Sequence, residues 1–138
     1  MRRAAVLLLA LPAVAACGRG VDVPPPPYAD SPACAELRLP DTILGAGRRP
    51  TDLPGTAAWG EPPITLRCGV ERPQALTPDA NVVDINGVTW LPIDGTGGTA
   101  FVTVDWPTPE NPVYLEVLVP EDYAPEAGAL VDLAPALG

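Results

Sequence analysis

Histidine and lysine are absent from this sequence, and Ser31 is its only serine. Nucleophile pairs of the serine–histidine, serine–lysine and cysteine–histidine types therefore cannot be assembled. Zinc sites and other metal sites that need imidazole are excluded for the same reason. Carboxylates, arginines, threonines and three tyrosines are what remains for catalysis. We accordingly predict no catalytic residues, no metal and no cofactor, and we expect that the protein is not an enzyme.

Acidic side chains offer one remaining route to catalysis, because two carboxylates about 5 to 10 Å apart can hydrolyse a glycosidic bond. Four acidic residues lie in or beside predicted strands: Asp84, Asp94, Asp105 and Glu116. Carboxylates that alternate with apolar residues on antiparallel strands are usually the solvent-facing half of a sheet. We therefore interpret these four as a solvated face, and the glycine-rich run 94–98 as a hairpin turn.

The charge balance is strongly acidic, with 17 aspartates and glutamates against 8 basic residues and a net charge of −9. Residues 17–138 carry −11, two units more negative, because Arg2 and Arg3 lie before them. Such a surface repels nucleic acid and anionic lipid headgroups. We predict no nucleic-acid partner, and we interpret the acidity mainly as a solubility feature.

Residues 1–16 have the pattern of a lipoprotein signal peptide. Arg2 and Arg3 precede an apolar run that ends in Val-Ala-Ala-Cys at residues 14–17, which resembles a bacterial lipobox. The run is too short to span a bilayer comfortably, since about 20 residues are needed. The resemblance implies cleavage before Cys17, a lipid with acyl chains such as palmitate on its sulfur, and a location on the extracytoplasmic face of the cell membrane. An ordinary secretory signal that ends in a chance cysteine is the alternative.

Cysteine is scarce, with three in the chain, of which Cys17 is assigned to the lipid. Cys34 and Cys68 then form an even pair in an oxidising compartment, where a disulfide is expected. No CxxC motif is present, so we interpret the pair as structural. Two free buried thiols are the alternative.

Composition divides the mature chain into a tether and one domain. Residues 17–30 lack apolar periodicity and contain the unbroken run Pro24–Pro27. Such a run favours the extended polyproline helix, which rises about 3.1 Å per residue and acts as a semi-rigid spacer. We predict that this segment is a lipid anchor and Pro-rich tether, and that residues 31–138 form a single globular domain.

The first half of that domain contains few signals of regular structure. Ser31 followed by proline predicts the start of a short helix that ends by Pro40. Residues 41–63 are so rich in glycine and proline that we predict a long loop, which carries Trp59.

Beyond residue 63 apolar residues recur at every second position, which is typical of half-buried strands. Such strands are predicted at residues 64–70, 101–106 and 113–119. The segments VVDI and VTWL flank Asn86-Gly87, the preferred pair for a two-residue type I′ turn, which predicts a hairpin. In that hairpin Ile85 is opposite Val88, and Val83 is opposite Trp90.

A C-terminal helix is predicted over residues 123–137, where apolar residues have helical spacing. Together these elements predict an α+β fold: a small single domain with an antiparallel sheet of four to five strands, one or two short helices packed on one face, and one disulfide.

Three stretches of this sequence resemble one known family: residues 57–70, 86–90 and 119–126. It is similar to the domain-of-unknown-function 3515 family, which comprises exported proteins and lipoproteins of high-GC Gram-positive bacteria. The resemblance spans nearly the whole mature domain. It implies the compartment and the domain limits, but no activity comes with it.

Arg67 is the side chain with the clearest capacity to bind a ligand. Strand alternation places it on the face opposite Cys68, beside the loop that carries Trp59. An arginine near an aromatic ring can hold a carboxylate or stack against a sugar. A surface ion pair is the alternative for Arg67, and core packing is the alternative for Trp59.

The predicted lipid anchor, the tether and the small set of side chains available for catalysis predict a membrane-anchored lipoprotein that acts by contact with other molecules. We expect a non-catalytic accessory or scaffold protein for an envelope enzyme or transporter. The alternative is a binding module for a small envelope ligand, such as a cell-wall fragment, at Arg67 and Trp59. A scaffold should expose an apolar patch, whereas a ligand module should show a pocket with convergent polar groups. The sequence sets no oligomeric state.

Overall fold

The computed structural model describes residues 20–138. Within that range the strands are β1 (Thr42–Ile43), β2 (Ala46–Arg49), β3 (Thr56–Trp59), β4 (Ile64–Val70), β5 (Val83–Ile85), β6 (Val88–Gly95), β7 (Gly98–Thr103) and β8 (Tyr114–Pro120). The helices are α1 (Pro32–Ala35) and α2 (Gly128–Leu137), and a 3-10 turn spans Glu121–Tyr123. None of the helices in this part of the chain has the length and apolar character needed to cross a membrane.

All eight strands belong to one antiparallel sheet with the order β1-β2-β3-β4-β8-β7-β6-β5. Strands β1 to β4 and strands β5 to β8 each form a meander, and the two meanders join where β4 pairs with β8. The predicted α+β fold, with four to five strands and one or two short helices packed on one face, is therefore wrong. The sheet is larger than predicted, and among the described residues only α2 is longer than about one turn.

The strands that the sequence analysis missed lie within residues 41–63, for which it predicts a long loop. Leu44 and Gly45 both have positive φ in the two-residue turn between β1 and β2, and Gly60 has a φ of 73° directly after β3. Glycine adopts such backbone angles without steric cost. The glycines and prolines therefore mark closely spaced turns. Strands of two to four residues are too short to show a regular alternation of apolar and polar residues.

The hairpin at residues 86–87 is confirmed in type and register. Ile85 pairs with Val88, and Val83 pairs with Trp90. Both turn residues have positive φ, 53° and 85°, as a type I′ turn requires. A local signal of four to six residues was sufficient here because the turn itself fixes the register of its two strands.

The inner face of the sheet forms the hydrophobic core. Leu115, Val117 and Val119 of β8 are fully buried, as the alternation predicts. The buried side of α2 belongs to the same hydrophobic cluster, and this helix contacts both edge strands, β1 and β5. The sheet therefore curves around α2. Asp132 of the helix accepts a hydrogen bond from the Leu44 amide at 2.8 Å, which fixes the helix to the β1–β2 turn.

Both helices are shorter than predicted. α1 begins after Ser31 as expected, but it ends at Ala35, and none of its residues is buried. Most of the stability of a helix in a protein comes from tertiary packing. Because α1 buries no residue, packing does not stabilise further helical turns. α2 begins at Gly128, because the 3-10 turn ends at Tyr123 and Ala124 then has non-helical backbone angles.

Residues 20–30, the described part of the predicted tether, lie along the outer face of the sheet, and we call them the strap. Val23 is only 3% exposed, and Pro26 is also buried. An extended proline-rich segment has no internal hydrogen bonds, so it can pack its apolar side chains on a neighbouring surface. The strap thus runs along the domain instead of away from it. Residues 1–19, including Cys17, lie outside the described residues.

Cys34 and Cys68 form the predicted disulfide, with their Cα atoms 5.6 Å apart. Cys68 is 1% exposed on the inner face of β4, and Cys34 packs against the core. The chain therefore passes from the outer face to the core between the strap and α1. The bridge has a sequence separation of 34, for which the chain-entropy model gives a stabilisation of roughly 3 to 4 kcal/mol.

A β-bulge at Gly69 allows the strap to approach β4. The pairing of β4 with β8 shifts between Cys68 and Val70, and Gly69 has a φ of 94°. The Gly69 carbonyl accepts a hydrogen bond from the Tyr28 amide at 2.8 Å, and a side chain at residue 69 would overlap the Tyr28 carbonyl. The shift also turns Val70 to the outer face, whereas strict alternation predicts it on the same side as Cys68.

Gly69→Ala should destabilise the protein more than Gly87→Ala. Both glycines have positive φ, 94° and 85°, so each substitution introduces backbone strain of about 1 kcal/mol or more. Only at residue 69 would the new methyl group meet the strap, since at residue 87 no atom beyond the chain neighbours lies within 4 Å. We expect losses in the free energy of unfolding of about 2–4 kcal/mol and about 1 kcal/mol, respectively. Chemical denaturation measures both, and equal losses would contradict the contact between the strap and β4.

Candidate functional site

A groove runs along β4 and β8 on the outer face of the sheet, between the strap and the chain that follows β4. Three adjoining concavities of about 290, 440 and 400 Å³ form it. Arg67 and Glu116 line both the first and the second concavity. Val70 and Arg72 line both the second and the third. Because each concavity shares residues with the next, we treat the three as one depression and call it the outer groove.

An ion pair between Arg67 and Glu116 forms the centre of the outer groove. The two residues are paired across β4 and β8, and the Arg67 Nε donates to Glu116 Oε1 at 3.0 Å. Their side chains are 26% and 27% exposed, so both are largely withdrawn from water. The predicted alternative for Arg67, an ion pair, is therefore formed, and it lies in a concavity instead of on an open surface.

A second arginine and a second glutamate also line the central concavity. Arg72 and Glu71 follow β4 directly, and both are exposed at the edge of the groove. With Arg67 and Glu116 they give this concavity two positive and two negative side chains. Asp22 lines one end of the groove. The chain as a whole has about twice as many acidic as basic residues, so the equal number of positive and negative side chains distinguishes the central concavity.

The two ends of the outer groove are more apolar than its centre. Val23, Pro24 and Leu118 line one end, and Tyr28, Val113 and Tyr114 line the other. Leu118 and Tyr28 are 47% and 56% exposed, which makes them two of the large exposed hydrophobic residues of the domain. The groove therefore combines a charged centre with apolar flanks, which is the usual composition of a ligand site.

Trp59 does not contribute to this groove. It is fully buried in the core, and its indole N–H donates to the Pro40 carbonyl at 2.9 Å. Arg48 lies over its ring at 5.2 Å from the centroid. Trp59 pairs with Ile64 on the inner face, whereas Arg67 faces outward. The sheet therefore separates Trp59 from Arg67, which were predicted to lie side by side. Trp59 packs in the core, as the alternative prediction for this residue states.

Two of the four acidic residues considered for glycosidic hydrolysis, Asp84 and Glu116, have hydrogen-bond partners within the domain. Asp84 accepts a hydrogen bond from the Gly87 amide at 3.0 Å and so stabilises the β5–β6 turn. Glu116 binds Arg67. Asp94 stands beside the hairpin turn between β6 and β7. Within residues 20–138, no group of three or more potential metal ligands occurs.

The sequence predicts a ligand role for Arg67 and names Glu116 only among the acidic residues of a solvated face. Arg72 lies beyond the predicted strand, and strict alternation predicts Val70 in the core. The sequence predicts a tether at residues 17–30, so the wall of the groove that the strap forms is absent from that prediction. The alternation of Val21, Asp22 and Val23 just before the prolines was the available signal, because it is typical of a segment with one buried side.

The outer groove offers several groups that can contact a bound ligand. Its ion pair offers donors and an acceptor, and its tyrosines offer hydroxyl groups. The central carboxylate, that of Glu116, is bound to Arg67 through one of its two oxygens.

The chain matches the model of one protein family over residues 4–138, and that family is described as a protein of unknown function (DUF3515). No curated protein and no solved structure matches the chain. The family match covers nearly the whole sequence, including every residue of the outer groove, and it confirms the resemblance seen in the sequence. The chain therefore belongs to the DUF3515 family.

Proposed function

We propose that this protein is a non-catalytic binding protein of the cell envelope, and that it binds a small ligand in the outer groove. The partly buried ion pair at the centre of that groove carries the proposal, because its two members share two adjoining concavities. A charged pair withdrawn from water is costly unless its remaining hydrogen-bonding capacity is used. A ligand that lies in the groove supplies partners for that capacity.

The distribution of exposed apolar residues also supports a ligand site over a large docking surface. The large exposed hydrophobic residues belong to several different elements of the domain: Tyr28, Leu44, Leu53, Val82, Val83, Leu118 and Val131. A scaffold that acts through a protein interface should expose a contiguous apolar patch. The groove, by contrast, brings polar groups together in one concavity.

The proposed location is the extracytoplasmic face of the cell membrane, with the lipid on Cys17. The support is the sequence: a basic start, a short apolar run and Val-Ala-Ala-Cys at residues 14–17. The strap begins to pack on the domain at residue 20. Three residues of extended chain span about 10 Å, so a lipid on Cys17 would hold the domain close to the bilayer.

A Cys17→Ala substitution should release the protein from the membrane fraction or leave its precursor uncleaved. The physical reason is that one diacylglycerol contributes two acyl chains, which together anchor a protein stably. Fractionation and intact-mass measurement test this, with Ser31→Ala as the control because Ser31 lies outside the lipobox and its side chain makes no helix-cap hydrogen bond. Normal membrane fractionation of Cys17→Ala at mature size would contradict lipidation.

Ligand binding in the outer groove should depend on Arg67. The protein purified from the envelope is screened by thermal shift against fractions of a digest of the cell wall. At a hundredfold excess over Kd, a bound ligand stabilises the folded state by about 2.7 kcal/mol. We expect one fraction to stabilise the wild type and the control Arg38→Ala, which removes an exposed arginine remote from the groove, but not Arg67→Ala. Equal stabilisation of both variants would place the ligand elsewhere.

An accessory protein is the second candidate function, and one observation favours it. Within residues 20–138, β5 is an edge strand that pairs with β6 alone, and Val82 and Val83 beside its other edge are 44% and 39% exposed. An open edge with apolar side chains can accept a strand from a partner protein.

Cross-linking in intact cells tests this second function. Val83→Lys places a charge on the edge strand, which opposes strand addition, while Val131→Lys makes the same change on the exposed side of α2. If β5 recruits a partner, one dominant cross-linked envelope protein is recovered with the wild type and Val131→Lys, and it is lost with Val83→Lys. Recovery with all three variants would exclude β5 as the contact.

A further inference from the structure

The central concavity of the outer groove is electrically balanced within an acidic protein. Residues 20–138 contain five arginines, and two of them, Arg67 and Arg72, line this concavity together with Glu71 and Glu116. The sum of these four charges is zero. Elsewhere the acidic residues dominate, because residues 17–138 carry a net charge of −11.

Each member of the ion pair at the centre retains unused hydrogen-bonding capacity. A guanidinium has five N–H donors, and Arg67 uses its Nε on Glu116. Its Nη1 and Nη2 atoms have no partner among the described residues, and neither does Glu116 Oε2. Because both side chains are about three-quarters buried, a charged group placed beside them is less screened than on an open surface. The pair therefore offers a cationic end and an anionic end side by side.

The charges of the surroundings restrict which ligand suits these two ends. A strongly anionic ligand is repelled by the field of the acidic domain, and in the groove it meets Asp22, Glu71 and Glu116. A purely cationic ligand is attracted at long range but meets Arg67 and Arg72 on arrival. A ligand that carries one carboxylate and one ammonium group avoids both penalties.

We propose that the outer groove binds a zwitterion of the amino-acid or short-peptide class, with its carboxylate at Arg67 and its ammonium group at Glu116. This inference rests on the proposed function, since it assigns the ligand of the same groove. The carboxylate takes the free Nη N–H groups of Arg67, and the ammonium donates to the free oxygen of Glu116. Both bonds form without breaking the ion pair that holds the two side chains in place.

The dimensions and lining of the groove favour a ligand with apolar side chains. The central concavity has a volume of about 440 Å³, within the range of about 300 to 1,000 Å³ that is typical of small-molecule sites. The flanking concavities are lined on one side by Val23 and Leu118 and on the other by Val113 and Tyr114. Apolar side chains of a dipeptide can lie on these flanks while its charged ends occupy the centre.

Three forms of one apolar dipeptide test the proposal by calorimetric titration of the purified full-length protein. Leucyl-leucine has both charges, its N-acetyl derivative has only the carboxylate, and its amide has only the ammonium group. We expect the free dipeptide to bind most tightly. Each blocked form should lose about tenfold or more in affinity, which is the effect of one charge-assisted hydrogen bond.

Two substitutions assign the charges to their partners. Arg67→Gln should weaken binding of the free dipeptide about tenfold but should not weaken binding of the amide, which has no carboxylate and no longer meets the positive charge of Arg67. Glu116→Gln should weaken the free dipeptide but not the N-acetyl form, which has no ammonium group and no longer meets the negative charge of Glu116. Arg38→Gln and Glu110→Gln make the same charge changes at exposed positions outside the groove and should alter none of the three affinities. A merely structural effect of breaking the ion pair would weaken all three ligands alike.

Equal affinity for the three dipeptide forms would overturn the zwitterion inference, and so would the absence of saturable binding of the free dipeptide to the folded protein. The thermal-shift screen separates this outcome from failure of the proposed function. If a cell-wall fraction stabilises the protein in an Arg67-dependent way while the dipeptide does not bind, the groove stands as the site and the ligand class is wrong. If neither binds, both proposals fall.

Discussion

The pairing of β4 with β8 is the interaction on which the rest of this structure depends. It joins the meander of β1 to β4 to that of β5 to β8, and in the part of the chain that the structure describes it is the one strand pairing between them. Residues about fifty positions apart in the chain meet there, such as Arg67 and Glu116. On the inner side the same pair presents Cys68 and Leu115 to the core. On the outer side it forms the floor of the groove.

A single irregularity in that pairing allows a groove to form on the outer face of the sheet. The bulge at Gly69 gives the strap room to lie against β4 and provides the carbonyl that binds it. The disulfide then holds the chain close to β4 just after the strap. Strap, bulge and disulfide thus act on the same strand. The groove exists because an extended segment is held along the sheet at a distance from the chain that follows β4.

The composition of the sequence and the geometry of the groove both support the binding function proposed above. A chain without histidine or lysine has few side chains that exchange protons near neutral pH. The two charged side chains at the centre of the groove are bound to each other and are largely withdrawn from water. This pair keeps part of its hydrogen-bonding capacity, and the proposed ligand uses that capacity.

The sequence by itself determined the features that depend on short-range patterns. The type I′ hairpin follows from two turn residues, the inner face of β8 follows from alternation, and the disulfide follows from the cysteine count. The family follows from motifs, and Arg67 was recognised as outward-facing. Roughly the second half of the sheet was predictable in this way. The site was predictable only in that one residue.

Tertiary structure alone decided the strands within 41–63, the course of the strap and the neighbours of Arg67. Strands of two to four residues carry no period, so their pairing partners define them. Val23 and Pro26 are buried only because a sheet face lies beside them. Trp59 and Arg67 are separated because they lie on opposite faces of the same sheet. Local patterns specify which side of a strand is apolar, but long-range pairing specifies what each side meets.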